Sequence, residues 1–183
     1  MQTRDLTTII VMAVLQFVIT ALIAQMGTII TGIPGTNFLF TILLAIPITF
    51  SLLTYEGRRW RIFMQLALFI LLAIPTRLGG PAFDPISRLG SLTTAFLIDL
   101  LANSIYGFFK NRHKLLWWAV LTSGAYWLMI PFFSTVTKIL FYTPEAVESF
   151  IGVVSVLLPV IIGQALLGGY IGYQIYKRQT KFR

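Results

Sequence analysis

Long runs without a charged residue constrain this chain more than any other feature of its sequence. No Asp, Glu, Lys or Arg occurs between Leu6 and Tyr55, and the later charges collect in short clusters. Only 11% of the residues are charged, whereas a soluble globular domain carries about 25%. Because a membrane-spanning helix needs about 20 predominantly apolar residues, the pattern predicts an all-α integral membrane protein.

Turn-forming residues and charge clusters divide the chain into six predicted spans within one transmembrane domain, 1–183. The segments 31–36 and 79–90 are rich in glycine and proline, and 138–148 mixes both signs of charge, so each is predicted to be a loop. The third span is short for a full crossing. The predicted spans are about 6–30, 37–54, 62–76, 91–109, 115–137 and 149–176, and together they form a compact six-helix bundle.

Lys and Arg alternate between the two sides of this layout. The amino-terminal segment, the loops after the second and fourth spans and the carboxyl-terminal segment carry eleven of them, and the other loops carry three. Because cytoplasmic loops are enriched in Lys and Arg, we expect a multi-pass protein of the cell membrane with both termini in the cytoplasm. Basic residues at span ends also contact membrane lipid, and their distribution argues against nucleic acid as a partner.

Several classes of chemistry lack the residues that they need. The chain has no cysteine and one histidine, His113, so thiolate and histidine-cluster metal sites are excluded within one chain. No glycine-rich phosphate loop ending in Gly-Lys-Ser/Thr occurs, so the chain is not expected to hydrolyse ATP itself. We therefore expect no metal, no cofactor and no enzymatic activity, with a membrane-embedded lipid enzyme as a remaining alternative.

Asp99 is the carboxylate predicted to lie inside the membrane. It falls in the fourth span, and Asn103 follows four residues later on the same helical face. A charged side chain at the bilayer centre costs at least about 2.5 kcal/mol on insertion scales, so this face is predicted to point into the bundle. Two interpretations follow: Asp99 and Asn103 line a ligand pocket reached from outside, or Asp99 makes a structural bond to a neighbouring helix, for example to Gln164 or to a loop arginine.

Other polar and aromatic residues are predicted at a similar depth or in the outer loops. Small-molecule pockets combine aromatic walls with a few convergent polar groups. Tyr and Trp also serve as interfacial anchors in membrane helices, and Arg88 could simply form an ion pair with Asp84 instead of binding substrate. The candidate substrate-binding residues besides Asp99 and Asn103 are Asn37, Arg77, Arg88, Tyr126, Trp127 and Gln164.

Gly168 and Gly172 in the sixth span have the spacing of small residues that allow helix backbones to approach closely. The pair predicts close helix packing, either inside the bundle or at an interface with another subunit.

The layout resembles that of the substrate-binding membrane subunits of energy-coupling factor transporters. The resemblance covers the whole chain in its six spans and basic first inner loop. It includes Arg4-Asp5-Leu6 before the first helix, Gly35-Thr36-Asn37 at the start of the second, and the Gly/Pro-rich outer loop 79–90. Members of the family bind vitamins such as thiamine, riboflavin and biotin near the outer surface. The resemblance implies a small water-soluble substrate, a vitamin or cofactor precursor, whose uptake is powered by separate ATPase subunits.

The same resemblance implies contact with a transmembrane coupling subunit. The family presents alanines four residues apart on its first helix, and the matching register here reads Ala13, Phe17 and Ala21, with phenylalanine in the middle place. Ala13 and Ala21 are the implied contact residues. The competing hypothesis is a non-transporting packing or assembly subunit of a larger membrane complex, in which Asp99 has a structural role.

Overall fold

The computed structural model describes residues 3–32, 36–78 and 80–181, and the regular elements within them are all helical. Residues 33–35 and 79, which belong to two predicted loops, lie outside the described residues. A π-helical turn, Thr20–Ala24, joins α1 to α2, and 3₁₀ turns at Thr36–Phe40 and Ile86–Arg88 precede α3 and α5. The α-helices are α1 (Thr3–Ile19), α2 (Gln25–Thr31), α3 (Thr41–Tyr55), α4 (Arg61–Ala73), α5 (Leu89–Asn111), α6 (Leu115–Phe141) and α7 (Pro144–Lys181).

Five helical segments of the described chain are long and apolar enough to cross a membrane. The third predicted span corresponds to α4, whose 13 residues reach about 20 Å at 1.5 Å per residue, short of a hydrocarbon core of about 30 Å. The described part of the chain thus has five helices of membrane-spanning length and, in addition to them, one shorter apolar helix. Those five are Asp5–Ile23, Thr36–Tyr55, Ile86–Asn111, Leu115–Phe141 and Pro144–Thr180.

The predicted loop 138–148 is wrong, because these residues are mostly helical. Only Tyr142 and Thr143 separate α6 from α7. The ammonium group of Lys138 lies over the rings of Tyr142 and Phe150, 4.8 and 4.9 Å from their centroids. Contacts with two aromatic rings stabilise the charge of Lys138. α6 therefore continues past Lys138 to Phe141, and this charge does not mark the end of the helix.

The helices form a ring in the order α1, α4, α5, α6, α7 and α3, and each packs against its neighbours. α3 and α6 also contact each other across the ring. Their membrane-length segments have the largest shares of buried residues, 61% and 56%, against 22% for those of α1 and α7. α3 and α6 are therefore the centre of the bundle, and α1 and α7 present most of their apolar surface outward.

Charge distinguishes the two ends of the bundle. The end called basic here holds the loop from Glu56 to Trp60, the α5–α6 turn with Lys110 and Lys114, and the last turns of α7. The opposite end holds the segment between α4 and α5 and the short α6–α7 connection. These names refer to the protein alone and assign neither end to a side of the membrane.

Gly168 and Gly172 bring α7 against the backbone of α3. A Cβ atom added at Gly168 would lie 2.4 Å from the carbonyl oxygen of Ile42, and one at Gly172 would lie 2.8 Å from that of Ile46. Both distances are shorter than van der Waals contact, so the backbones approach this closely only because these residues are glycines. The pair therefore packs inside the bundle, which is the first of the two predicted roles.

We predict that Gly168→Ala destabilises the protein, whereas Gly163→Ala does not. The added methyl group at Gly168 forces α7 away from α3, which should cost about 1–3 kcal/mol. A Cβ at Gly163 meets nothing within 4 Å, and alanine is a better helix former than glycine. The melting temperature of each detergent-solubilised variant, measured by size-exclusion chromatography after heating, checks this. Equal melting temperatures for the two variants would contradict the packing assignment.

Candidate functional site

Asp99 lies midway along α5 and caps the amino terminus of α4. Its Oδ2 accepts a hydrogen bond from the backbone N–H of Trp60 at 2.8 Å, and its Oδ1 accepts from Ile62 at 3.1 Å and Phe63 at 3.3 Å. The first N–H groups of a helix lack partners within the helix and carry the positive end of its dipole. The carboxylate therefore supplies both the acceptors and the negative charge that this helix end needs.

Neighbouring side chains enclose this carboxylate. Asn103 donates from Nδ2 to Oδ2 of Asp99 at 2.8 Å, and Asp99 is 1% exposed. The rings of Trp60, Phe63 and Phe96 pack together beside it, with centroids 5.9–6.2 Å apart. The ion pairs found among the described residues do not include Asp99. Backbone and amide donors of the protein itself therefore stabilise its charge.

Arg88, just before α5, binds the carboxyl-terminal end of α4 and the segment that follows it. The last carbonyl groups of a helix also lack partners within the helix, and a guanidinium group offers five N–H donors in a planar fork. Arg88 is 4% exposed. The acceptors are the carbonyl oxygens of Ala73, Thr76, Leu78, Pro81 and Asp84, at 3.3, 2.9, 3.0, 2.7 and 2.8 Å.

Two residues of one chain segment thus hold both ends of α4. The eleven positions from Arg88 to Asp99 correspond to about 16 Å along a helix, close to the length of α4. One of the two interpretations placed Asp99, Asn103 and Arg88 in a ligand pocket, whereas in the structure Asp99 and Arg88 cap the two ends of α4 and Asn103 donates to the Asp99 carboxylate. Neither of the two cavities described for the chain includes them. The structural interpretation of Asp99 fits this geometry, although its partner is the α4 backbone and not Gln164.

Three other predicted residues lie apart from Asp99. The Oε1 atom of Gln164 accepts the backbone N–H of Ile42 at 3.2 Å, so Gln164 caps the amino terminus of α3. Asn37 is half-buried in the turn before α3, and Arg77 is exposed in the segment after α4. The structure therefore does not bring the predicted residues into one pocket.

Tyr126 and Trp127 belong to a buried polar face of α6. The indole N–H of Trp127 has no hydrogen-bond partner among the described residues, and neither do the hydroxyls of Thr122 and Ser123 on α6 or of Thr49 on α3. These four residues, called the central polar cluster here, are at most 5% exposed. An unpaired buried polar group costs about 1–3 kcal/mol, so the cluster is one place where this fold leaves hydrogen-bonding capacity unused. The Oγ of Ser51 and the Nε of Arg88 also lack a partner among the described residues.

Part of the cluster lies where α3, α6 and α7 meet. A Cβ atom placed on Gly169 would be 3.6 Å from Oγ1 of Thr49 and 3.6 Å from Cβ of Ser123. Trp127 follows Ser123 by four residues and so lies on the same face of α6. The close approach of α7 at Gly169 thus covers Thr49 and Ser123 without giving either hydroxyl a partner.

Of these four residues, the sequence-based candidates for substrate binding include only Trp127. Ser and Thr in helices commonly bond the carbonyl four residues earlier, as Thr94 does with Gly90 at 2.8 Å. The sequence does not distinguish such hydroxyls from the unpaired ones. Burial at the centre of the bundle is the signal that identifies Thr49, Thr122 and Ser123, and it requires the structure.

Ala13 does not face outward as the resemblance implies. It has no exposed surface, because it lies on the side of α1 that packs against α4 and α3. Ala21 is partly exposed and falls in the π-helical turn Thr20–Ala24. Since that turn is wider than an α-helical one, the two alanines do not form a single exposed face.

A cavity of about 690 Å³ opens at the basic end between α1, α3 and α7. Asp5 lies at its rim and pairs with Arg58 at 2.6 Å, while the ring of Tyr55 forms part of its wall. From there a buried chain of hydrogen bonds runs into the bundle: the Tyr55 hydroxyl donates to Gln65 Oε1 at 2.8 Å, and Gln65 Nε2 donates to Gln16 Oε1 at 3.4 Å. This chain is internally paired, unlike the central polar cluster.

At the opposite end, Asp84 connects the α4–α5 segment to the α6–α7 connection. The hydroxyl of Tyr142 donates a short hydrogen bond to its carboxylate, and the backbone N–H of Ile86 donates another at 3.0 Å. The Tyr142 hydrogen bond is the main reason that the pKa of Asp84 lies below its ordinary value. Asp84 is therefore ionised at neutral pH and holds this end of the bundle together.

Comparisons of the chain with models of protein families, with curated proteins and with solved structures gave no significant match.

We predict that Asp99→Ala lowers stability strongly because the first N–H groups of α4 lose their acceptors. The loss of capping and the unpaired N–H groups should together cost at least about 2 kcal/mol, or roughly 5 °C in melting temperature. Glu148→Ala is the matched control, since Glu148 is an exposed acid whose removal should change stability by less than about 0.5 kcal/mol. The same heating assay measures both. An unchanged melting temperature for Asp99→Ala would refute the capping role.

Proposed function

We propose that the chain is a membrane-embedded binding subunit for the uptake of a small water-soluble nutrient, with six membrane helices and both termini on the cytoplasmic side. The observation that carries the proposal is the central polar cluster, Thr49, Thr122, Ser123 and Trp127, whose buried hydroxyl and indole groups have no partner in the described protein. In a bilayer such groups have no bulk water to bond with. A bound solute would supply the missing partners.

The chemistry of the cluster favours the uncharged part of a polar nutrient. Hydroxyls both donate and accept hydrogen bonds, and the indole N–H donates, but no residue of the cluster is charged. Tyr126 adds an aromatic wall, with its ring 5.3 Å from that of Trp127. Asp99 is bound by protein N–H groups, and both terminal nitrogens of Arg88 are bound by protein carbonyl groups, with only its Nε unpaired, so neither residue is expected to select the charge of the ligand.

Access to the cluster requires movement of α7. Gly169 lies against Val120 and near Thr49 and Ser123, so α7 covers these hydroxyls in the packed bundle. We propose that separation of α7 from α3 and α6 opens the site. Such a change would couple solute binding to the position of one outer helix.

Energy for uptake would come from separate subunits. The sequence has no ATP-binding loop of its own, and the resemblance to energy-coupling factor transporters supports partner ATPases and a coupling subunit. The exposed side of α1 and of the π-helical turn that follows it, with Val14, Val18 and Leu22 at 42–67% exposure, is the surface that we propose for the coupling subunit. Ala21 borders it, and Ala13 does not.

The experiment compares small molecules that co-purify with the full chain from native membranes, identified and quantified by liquid chromatography and mass spectrometry. We predict that one polar solute accompanies the wild-type protein. The double variant Thr49→Val/Ser123→Ala should retain it at about one tenth of the amount or less, which corresponds to about 1.4 kcal/mol of binding free energy.

Ser104→Ala is the control variant, because Ser104 is exposed and bonds only its own helix, through Leu101, at 2.9 Å. It should retain the solute fully. Equal retention by the double variant and the control would remove the cluster as the binding site.

The second candidate function is a packing or assembly subunit, and the capping of α4 favours it. Asp99, Arg88 and Gln164 are all consumed by helix ends, as in a purely structural bundle. This alternative predicts that no solute co-purifies and that protein subunits of a larger complex do.

A further inference from the structure

The α5–α6 turn at the basic end forms one wall of an open depression of about 660 Å³. Leu115 at the start of α6 and Tyr173 of α7 also line it. The polar residues of the lining are Lys110, Asn111, His113 and Tyr173. They combine an ammonium group with amide, imidazole and phenol groups, all of which can donate hydrogen bonds.

The turn that presents these groups is well defined. The backbone N–H of His113 donates to the carbonyl of Lys110 at 3.0 Å, and that of Lys114 donates to the carbonyl of Phe109 at 2.9 Å. His113 adopts a left-handed backbone conformation with φ 55°, which reverses the chain between two long helices. The donors are therefore carried on a tight turn with fixed backbone hydrogen bonds.

Positive charge is concentrated at this turn. Lys110, Arg112 and Lys114 fall within five positions, and no Asp or Glu occurs between Asp99 and Glu145. The ammonium of Lys110 lies over the ring of Tyr106, 5.5 Å from its centroid, and both ion pairs of the described residues use Asp5 with arginines of the α3–α4 region. The ion pairs of the described residues therefore leave the charge of this turn available to an anion.

Two exposed aromatic residues are close in sequence to residues that line the depression. Phe108 and Trp117, each two positions from a lining residue, are 53% and 56% exposed, and the guanidinium of Arg112 stacks on the Phe108 ring at 4.0 Å from its centroid. Exposed aromatic rings next to basic residues are typical of the level at which a membrane helix meets lipid headgroups. An anion here would thus lie between apolar surface and water.

We propose that this depression binds the phosphate group of an anionic phospholipid. Basic pockets between membrane helices bind such headgroups through charge and hydrogen bonds. Here the ammonium of Lys110 supplies the charge, Asn111, His113 and Tyr173 supply hydrogen bonds, and the acyl chains lie along the exposed rings of Phe108 and Trp117.

The test is native mass spectrometry of the full chain in detergent, titrated separately with dioleoylphosphatidylglycerol, dioleoylphosphatidylcholine and inorganic phosphate. We predict saturable binding of one phosphatidylglycerol, tighter than that of phosphatidylcholine. Lys110→Gln should weaken phosphatidylglycerol binding about fivefold, the effect of one basic residue at a lipid surface, and Lys110→Arg should restore it.

Arg59→Gln is the matched control, because it removes one exposed positive charge from the same end of the bundle, in the loop between α3 and α4. It should weaken phosphatidylglycerol binding less than about twofold. Equal weakening by Lys110→Gln and Arg59→Gln would mean general surface attraction and would overturn the site. Binding of inorganic phosphate that depends on Lys110, with no preference for phosphatidylglycerol, would assign the site to soluble phosphate and overturn the lipid assignment.

Discussion

The bond between the Asp99 carboxylate and the first N–H groups of α4 is the interaction on which the rest of the bundle depends. α4 is shorter than a hydrocarbon core, and its amino terminus lies against the buried carboxylate of Asp99 midway along α5. A helix end without partners in such a place costs several kcal/mol. Asp99 removes that cost and, with Arg88 at the other end, sets the position of α4 along α5.

Capping by neighbouring helices recurs in this fold. Gln164 of α7 accepts a backbone N–H at the start of α3, as Asp99 does for α4, and Trp118 of α6 joins the middle of α5 by donating its indole N–H to the carbonyl of Ala102 at 3.0 Å. Asp99, Gln164 and Trp118 thus use their polar groups to join helices. The groups of Thr49, Ser123 and Trp127 are buried in the same bundle without a partner among the described residues, and this is why the proposed solute site rests on them.

How well the sequence predicted the structure depends on which property each sequence pattern reports. Apolar runs measure length and polarity, so they located the helices well, but they placed the end of α6 at Lys138, whose charge is held between two rings. The four-residue spacing correctly placed Asn103 beside Asp99, because helical geometry is local. The partner of Asp99 lies some forty positions away at Trp60, and no local pattern indicates it.

By itself the sequence determined that this chain is helical, that it has helices of membrane-spanning length, and that its basic residues gather at one end, because hydrophobic length and charge act on each segment separately. The tertiary structure decided which polar groups are satisfied. It assigned Asp99 and Arg88 to the ends of α4, buried Ala13 against α4 and α3, and left the central polar cluster unpaired. A side-chain hydrogen bond between two helices depends on how the helices pack, so it forms only in the folded bundle.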